Sequence, residues 1–396
     1  MKILFNANRF PYPPFRGDKL KIYNLAKQLS KHHELHLLTF LEDRSDLQYL
    51  PQLEAVFTKV HLIDLKKTQI YCNGALAILG QTPLQVAYFK SAAMQAKVDE
   101  LVATEQFDAV HIQHIRMAQF WRKHTSTPRI LDLPDAFSLY WQRRVENSSG
   151  LKAQFNTIEY KRLLKYERVI NEFPLSLVCS KEDQQYLQQK QGIANVQLLP
   201  NGVDTKLFSN PDINYEHETT LLFTGNMDYA PNVDGVCYFA AEIFPIIKQA
   251  LPHIKFVIAG QRPVEKVLAL QNEDINVTGF IPNLADIYKD AAIVVSPLRF
   301  GAGTQNKVLE AMSMAVPVVS MNVGFEGLNI ASGEGVFLET TSLTFAERCI
   351  QLLQNKEARK SAGQKGLQVI QASYTWESIA TKLEQYFIDI IKKQKS

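Results

Sequence analysis

With 396 residues, 46% of them hydrophobic, the chain exceeds one ordinary core and suits two domains of similar size. Its 43 basic and 40 acidic residues nearly cancel to +3, which excludes a bulk nucleic-acid binder. Four cysteines, Cys72, Cys179, Cys237 and Cys349, stand apart without metal-ligand or disulfide spacing, and no run approaches the ~20 apolar residues of a membrane-spanning helix.

Residues 2–7 are predicted to form a first strand, interrupted too soon by Asn6 and Asn8 to be a secretion signal, so a reducing cytoplasm is the expected setting. The turn from Asn8 to Gly17 is stiffened by Pro11, Pro13 and Pro14. Gly17 then precedes a helix with Ile22, Leu25, Ala26 and Leu29 on one face. Gly17 reads either as a helix-entry turn or as backbone that meets a ligand at the helix start. Lys19, Lys21, Lys27 and Lys31, with Arg16 nearby, are expected on the solvated face; the alternative is a basic face resting on anionic lipid.

Further strands are predicted at 34–40, 58–63, 108–113, 129–133, 174–179 and 196–199, with helical segments between most of them. Such alternation gives a parallel sheet with helices on both faces, whose ligands collect at the carboxyl ends of the strands. His114, Asp132 with Asp135, and Ser180 fall at those ends. Ser180 and Asp183 match a capping box. Asp132 and Asp135 read as sugar-hydroxyl ligands or a base, or as ordinary acidic strand ends; His114 reads as a donor or base, or as a structural histidine.

Asn201-Gly202-Val203-Asp204 is a turn signal at mid-chain, and the domain boundary is placed there, giving domains 1–200 and 201–374. A second alternating series follows at 220–224, 254–259, 275–278, 292–296, 316–320 and 336–338. Gly225 and Gly260 end its first two strands, where close backbone approach would help bind phosphate, and Arg262 is a diphosphate partner or a solvated loop residue. Between two of the later strands lies Gly301-Ala302-Gly303-Thr304-Gln305-Asn306-Lys307-Val308-Leu309-Glu310-Ala311-Met312. Here Thr304 is the expected N-cap, and Lys307 and Glu310 share one helical face. A cation for phosphate beside a carboxylate that accepts from a ribose diol outlines a nucleotide site. The competing reading is a plain turn carrying a solvated ion pair. The spacing fits neither a dinucleotide fingerprint nor a P-loop. The last segment, 375–396, is an amphipathic helix with Trp376, Ile379, Ala380, Leu383, Phe387, Ile390 and Ile391 on one face and a basic tip, for which docking on the protein body is expected and membrane contact is the alternative.

The two alternating halves, the Asn-Gly-Val-Asp hinge, and the stretch from Pro297 to Met312 followed by Pro317-Val318-Val319 together resemble glycosyltransferase family 4. The run from Phe223 to Asn232 is similar to the branch found with exopolysaccharide and cell-surface sugar assembly. The resemblance implies an α/β protein of the GT-B fold: two Rossmann-like domains facing each other across a cleft, with 375–396 crossing back to the first. It implies a retaining, metal-independent transferase without a cofactor, moving a sugar from a UDP- or GDP-sugar to a glycan or lipid-linked acceptor. Carried over by position, Glu310 binds the donor ribose, Gly301, Ala302, Gly303 and Thr304 line the sugar and diphosphate, and Lys307 adds positive charge. Gly225, Asn226 and Arg262 join this donor side, and backbone at Phe280 and Ile281 meets the base. Gly17, Asp132 and Asp135 lie on the acceptor side, with His114 near the reacting sugar. Two departures stand out: Ala302 occupies the place of the usual first glutamate, and Asn226 that of a usual basic residue. Other readings of the altered motif are a non-catalytic nucleotide-sugar-binding partner and a nucleotide-sugar epimerase.

Overall fold

The computed structural model describes all residues except 15, 16, 79, 147, 218, 302–304 and 396. The chain divides into two compact units, Met1–Pro200 with Ile379–Ser396, and Asn201–Ser378. In the first, strands β1 (Lys2–Ala7), β2 (Glu34–Leu41), β3 (Lys59–Asp64), β4 (Ala109–Gln113), β5 (Arg129–Asp132), β6 (Leu175–Val178) and β7 (Val196–Leu198) form one sheet. Their order is β3-β2-β1-β4-β5-β6-β7, and every pairing is parallel. In the second, β8 (Thr220–Thr224), β9 (Lys255–Ala259), β10 (Ile275–Gly279), β11 (Ile293–Ser296), β12 (Val318–Ser320) and β13 (Val336–Leu338) pair in parallel in the order β10-β9-β8-β11-β12-β13. Every predicted strand is present. Central parallel strands are covered on both faces, which is why they read as short unbroken apolar runs.

Alternation along those strands splits the second unit's core in two. Leu221, Phe223, Ile293 and Val295 face one side. Leu222, Val294 and Val318 face the other, where they meet Val308, Leu309 and Met312 of the helix Asn306–Ser313. Burying each of those three helix side chains contributes ~1.5–3 kcal/mol, and this packing fixes the helix against the sheet. Gln305 is the N-cap of that helix and caps without a side-chain bond; Thr304, the expected cap, lies outside the described residues. Within the same unit, Val203 bridges to Thr375, and Gly202 has no Cβ because Trp376 fills that space: an added Cβ would lie 2.8 Å from the indole.

The terminal helix Trp376–Lys395 begins in the second unit, and from Ile379 onward it belongs to the first. Its apolar face is buried at Ile379, Leu383, Phe387 and Ile390, while Glu384 holds His33 at 2.9 Å and the Tyr386 hydroxyl donates to the Leu198 carbonyl at 3.1 Å. The first unit's long helix Gly17–Leu29 corrects one expectation. Lys21 is buried rather than part of a solvated basic face: its ammonium donates to Asp132 Oδ1 at 2.7 Å, and the opposite carboxylate oxygen pairs with His111 Nε2 at 3.0 Å. Arg16, assigned to that face, lies outside the described residues.

Candidate active site

In each sheet the strand order reverses once, between β8 and β11 in the second unit and between β1 and β4 in the first. At such a point the connections leave in opposite directions and open a crevice beyond the carboxyl ends of the strands.

In the second unit that crevice is bordered by the loops after β8, β9 and β11. The Lys307 ammonium sits 4.6 Å from the centre of the Phe223 ring and donates to Asn232 Oδ1 at 3.1 Å. Asn232 in turn donates to the Asn226 carbonyl at 3.0 Å, and Gln261 donates to the Asn226 side chain at 2.9 Å. Glu310 takes a different partner: the Tyr288 hydroxyl donates to its Oε2 at 2.8 Å. That phenol also shares a 2.7 Å hydrogen bond with Thr224 at the end of β8. Lys307 and Glu310 are therefore not a solvated surface pair, since the lysine is buried and each is oriented by its own neighbour. Burial raises the Glu310 carboxyl above its ordinary range, opposed by the Tyr288 hydrogen bond and the Lys307 charge.

Glycine is required at the bottom of this crevice. Gly225 and Gly260 have φ of +155° and +153°, and a Cβ on Gly260 would lie 1.7 Å from the Gly225 carbonyl oxygen. The two loops meet backbone to backbone. Arg262, at φ +57°, is held at 3.2 Å by Asp228 with its side chain largely exposed. Gly301, at φ +153°, is buried, whereas Ala302 and Gly303 lie outside the described residues. Phe280 is exposed and Ile281 partly covered, just after Gly279, whose carbonyl accepts from Gly260 N at 3.1 Å. The sequence reading named the lysine and the carboxylate but missed Tyr288, Asn232 and Phe223, which hold them. The signal for Tyr288 was its place on the apolar face of the helix Leu284–Lys289, because a buried phenol needs a partner.

Burial, partly offset by Glu310, lowers the Lys307 ammonium to about 8. Below pH 8 the folded and unfolded states both carry its proton, and the fold bears the full cost of the buried charge. Between pH 8 and its ordinary value near 10.5 only the unfolded state holds that proton, so the unliganded protein gains up to about 3 kcal/mol as the pH rises through this window. The stability difference between wild type and Lys307→Met, from denaturant midpoints at pH 7 to 10, is expected to move in that sense. A flat difference would rule out a buried ammonium.

In the first unit, His114 lies just past β4 at φ +76°, a strained value for a non-glycine residue. Its N–H donates to the Asp132 carbonyl at 2.7 Å, its Nδ1 accepts from Arg116 N at 3.4 Å, and its ring stands edge-on to Phe137. Burial, with Arg116 and Arg9 adding to it, keeps the imidazole neutral near pH 7. Asp135 is raised to about 7 by burial and by Asp183, itself at about 6; Glu167 stands at about 7 for the same first reason. Ser180 caps its helix through Asp183 N at 3.0 Å as expected. Asp132 is buried inside the ion pair with Lys21, and Gly17 opens its helix with clear space around it. Asn8, just past the end of β1, reads in the sequence only as the residue that breaks the strand and begins the turn. It is fully buried, and among the described residues neither of its amide atoms has a partner.

Two family descriptions match adjoining stretches of the chain: "Glycosyltransferase Family 4" over residues 22–207 and "Glycosyl transferases group 1" over 218–355. An "Uncharacterized 44.6 kDa protein in cps region" of Klebsiella pneumoniae is 23% identical over 96% of this chain and 98% of its own length. Among solved structures, Anabaena HepE in complex with UDP superposes with a TM-score of 0.71 at 15% identity, covering 98% of this chain and 100% of that one. Sucrose-phosphate synthase from Thermosynechococcus elongatus does so at 0.71 and 16%, covering 99% and 100%. With its first unit matched by the one description, its second by the other, and both sheets doubly wound, the chain belongs to the family 4 glycosyltransferases of the GT-B fold.

Proposed function

We propose that the protein is a retaining, metal-independent transferase that moves a sugar from a UDP- or GDP-sugar to a glycan or lipid-linked acceptor in cell-surface polysaccharide synthesis. The observation that carries the donor half is the separate clamping of Glu310 by Tyr288 and of Lys307 by Asn232 at the switch point of the second unit. A carboxylate held in place accepts two hydrogen bonds from the hydroxyls of a ribose diol. A buried ammonium over an aromatic face meets a diphosphate and stabilises it as it leaves, with Arg262 and the backbone of the glycine loops sharing the charge. Transfer to the same face of the sugar needs no protein nucleophile. His114, neutral, serves the reacting sugar as a hydrogen-bond partner, and Asp135 and Gly17 border the acceptor. The complex of HepE with UDP supports a uridine nucleotide, and the relative named for a cps region supports the polysaccharide setting.

A thermal-shift screen of nucleotide-sugars names the donor, and proton NMR of the transferred sugar gives its anomeric configuration. Stabilisation by one donor and product of unchanged configuration are expected. An inverted product would overturn the retaining assignment. Conversion of the free donor without acceptor would identify an epimerase, and binding without transfer to any acceptor a non-catalytic partner. Lys307→Ala is expected to cut turnover at least tenfold at pH 7 while the protein stays folded; unchanged transfer and donor-hydrolysis rates would remove Lys307 from the chemistry.

A further inference from the structure

The first unit carries an apolar surface that its own core leaves uncovered. The helix Lys67–Ile78 buries only Ala77, leaving Tyr71, Leu76 and Ile78 in solvent. The helix Gly150–Tyr166 exposes Leu151, Phe155 and Ile158, spaced four and three residues apart and so on one stripe. Exposure of these six side chains runs from 46% at Phe155 to 83% at Leu151. The two helices are joined through Arg162, which donates to the Ile78 carbonyl at 2.9 Å, and Glu159 accepts from Leu84 N at 2.8 Å in the short helix that follows, Leu84–Ala87. Isolated exposed apolar residues are ordinary, but a contiguous set marks a surface that something else covers.

The charge around this face selects the occupant. Lys66, Lys67, Lys152, Lys161 and Lys165 are exposed beside it. The sequence of the first helix contains no acidic residue, and the one carboxylate of the second, Glu159, is buried and bonded inward. Lys161 and Lys165 also border a groove, with Arg168 and Lys190, whose lining holds no acidic residue among the described residues. Aromatic and aliphatic side chains flanked by exposed lysines, of which Lys67 also faces Asp43, match the boundary of an anionic bilayer, where the former enter the acyl region and the latter meet headgroup phosphates. A second copy of the same face would set lysines against lysines.

We propose that this face, formed by the helices Lys67–Ile78 and Gly150–Tyr166, docks the protein on an anionic phospholipid bilayer. It differs from the basic helix face and terminal tip that the sequence suggested for lipid contact: Lys21 is buried against Asp132, and Gln394 donates to the Thr125 carbonyl at 3.2 Å. The docking face also connects to His114, the residue assigned to the reacting sugar. Gln85, which lines an apolar groove with Tyr71 and Ile78, accepts from Arg116 at 2.7 Å, and Arg116 neighbours His114. The purpose of docking, presenting a lipid-linked acceptor, rests on the transferase reading, whereas the docking itself does not.

The test is flotation of the full-length protein with vesicles of phosphatidylcholine alone or with about a third phosphatidylglycerol. Wild type is expected to float with the anionic vesicles and to lose binding in high salt. The triple variant Tyr71→Ser, Leu76→Ser, Ile78→Ser and the charge variant Lys152→Glu, Lys161→Glu, Lys165→Glu are each expected to bind at least about tenfold more weakly. All six positions are exposed, so melting temperature and nucleotide-induced shift should be kept, which separates loss of docking from failure of the donor site. Absence of wild-type flotation, or flotation of both variants equal to that of wild type, would overturn the proposal. So would a wild-type dimer that the triple variant converts to monomer, since the face would then belong to a second copy.

Discussion

Glu310→Ala is expected to remove the stabilisation that a nucleotide-sugar gives the wild-type protein, weakening donor binding at least a hundredfold. The carboxylate is assigned two charge-assisted hydrogen bonds to the ribose, each worth about 1.5–3 kcal/mol, and the loss of ~3 kcal/mol corresponds to roughly that factor. The unliganded variant should remain folded, because Val308, Leu309 and Met312, which anchor the helix, are untouched. Tyr288→Phe is the informative companion. It leaves the carboxylate but removes the 2.8 Å hydrogen bond that aims it, so a smaller effect, about tenfold, is expected in affinity. Glu310 would also lose the hydrogen bond that opposes its burial, and its protonation should then extend to higher pH. Calorimetric titration with the donor measures both. If Glu310→Ala binds as tightly as wild type, the ribose lies elsewhere and the donor-site assignment fails.

The largest stability effect is expected at Asp132. Burial alone drives this carboxyl up and the Lys21 ammonium down, yet each is shifted the other way, because Lys21 and His111 surround the carboxylate and the carboxylate holds Lys21. Removing one member strands the other in a dry interior, so Asp132→Ala is expected to cost on the order of 3–5 kcal/mol, read from the first unit's denaturant midpoint. Lys21→Met combined with Asp132→Leu replaces the pair with apolar volume and should recover most of that loss. The same linkage gives a pH signature. Asp132 contributes stability at neutral pH that fades only as the pH falls below the ordinary carboxylate range, and the Asp132→Ala variant should lack this acid limb. Equal stability of Asp132→Ala and wild type would return the residue to the acceptor side as a solvent-facing group.

What was legible in the sequence follows from how locally each feature is encoded. The strands were readable because each is a short apolar run closed by glycine or a polar turn, and Glu310 and Lys307 because helical spacing places them on one face. The Ser180 cap was readable from three residues. The misplacement of Lys21 has the opposite origin: its partner lies 111 positions away, and nothing in its own helix separates a buried lysine from its exposed neighbours. The Tyr288–Glu310 hydrogen bond links residues 22 positions apart, and it exists only because the helices Leu284–Lys289 and Asn306–Ser313 pack on the same face of the sheet. The helix Lys67–Ile78 was hidden for a further reason, since an apolar helix with a single buried residue has no inward face for periodicity to reveal.

The backbone contact between Gly225 and Gly260 has a consequence for how the donor site can be varied. With a Cβ at residue 260 only 1.7 Å from a carbonyl oxygen, no side chain is tolerated there, and the two loops can change only through what is attached around them. Asn226, Gln261 and Arg262 are those attachments. A library that randomises these three while holding both glycines varies the surroundings of the two loops on an unchanging chassis.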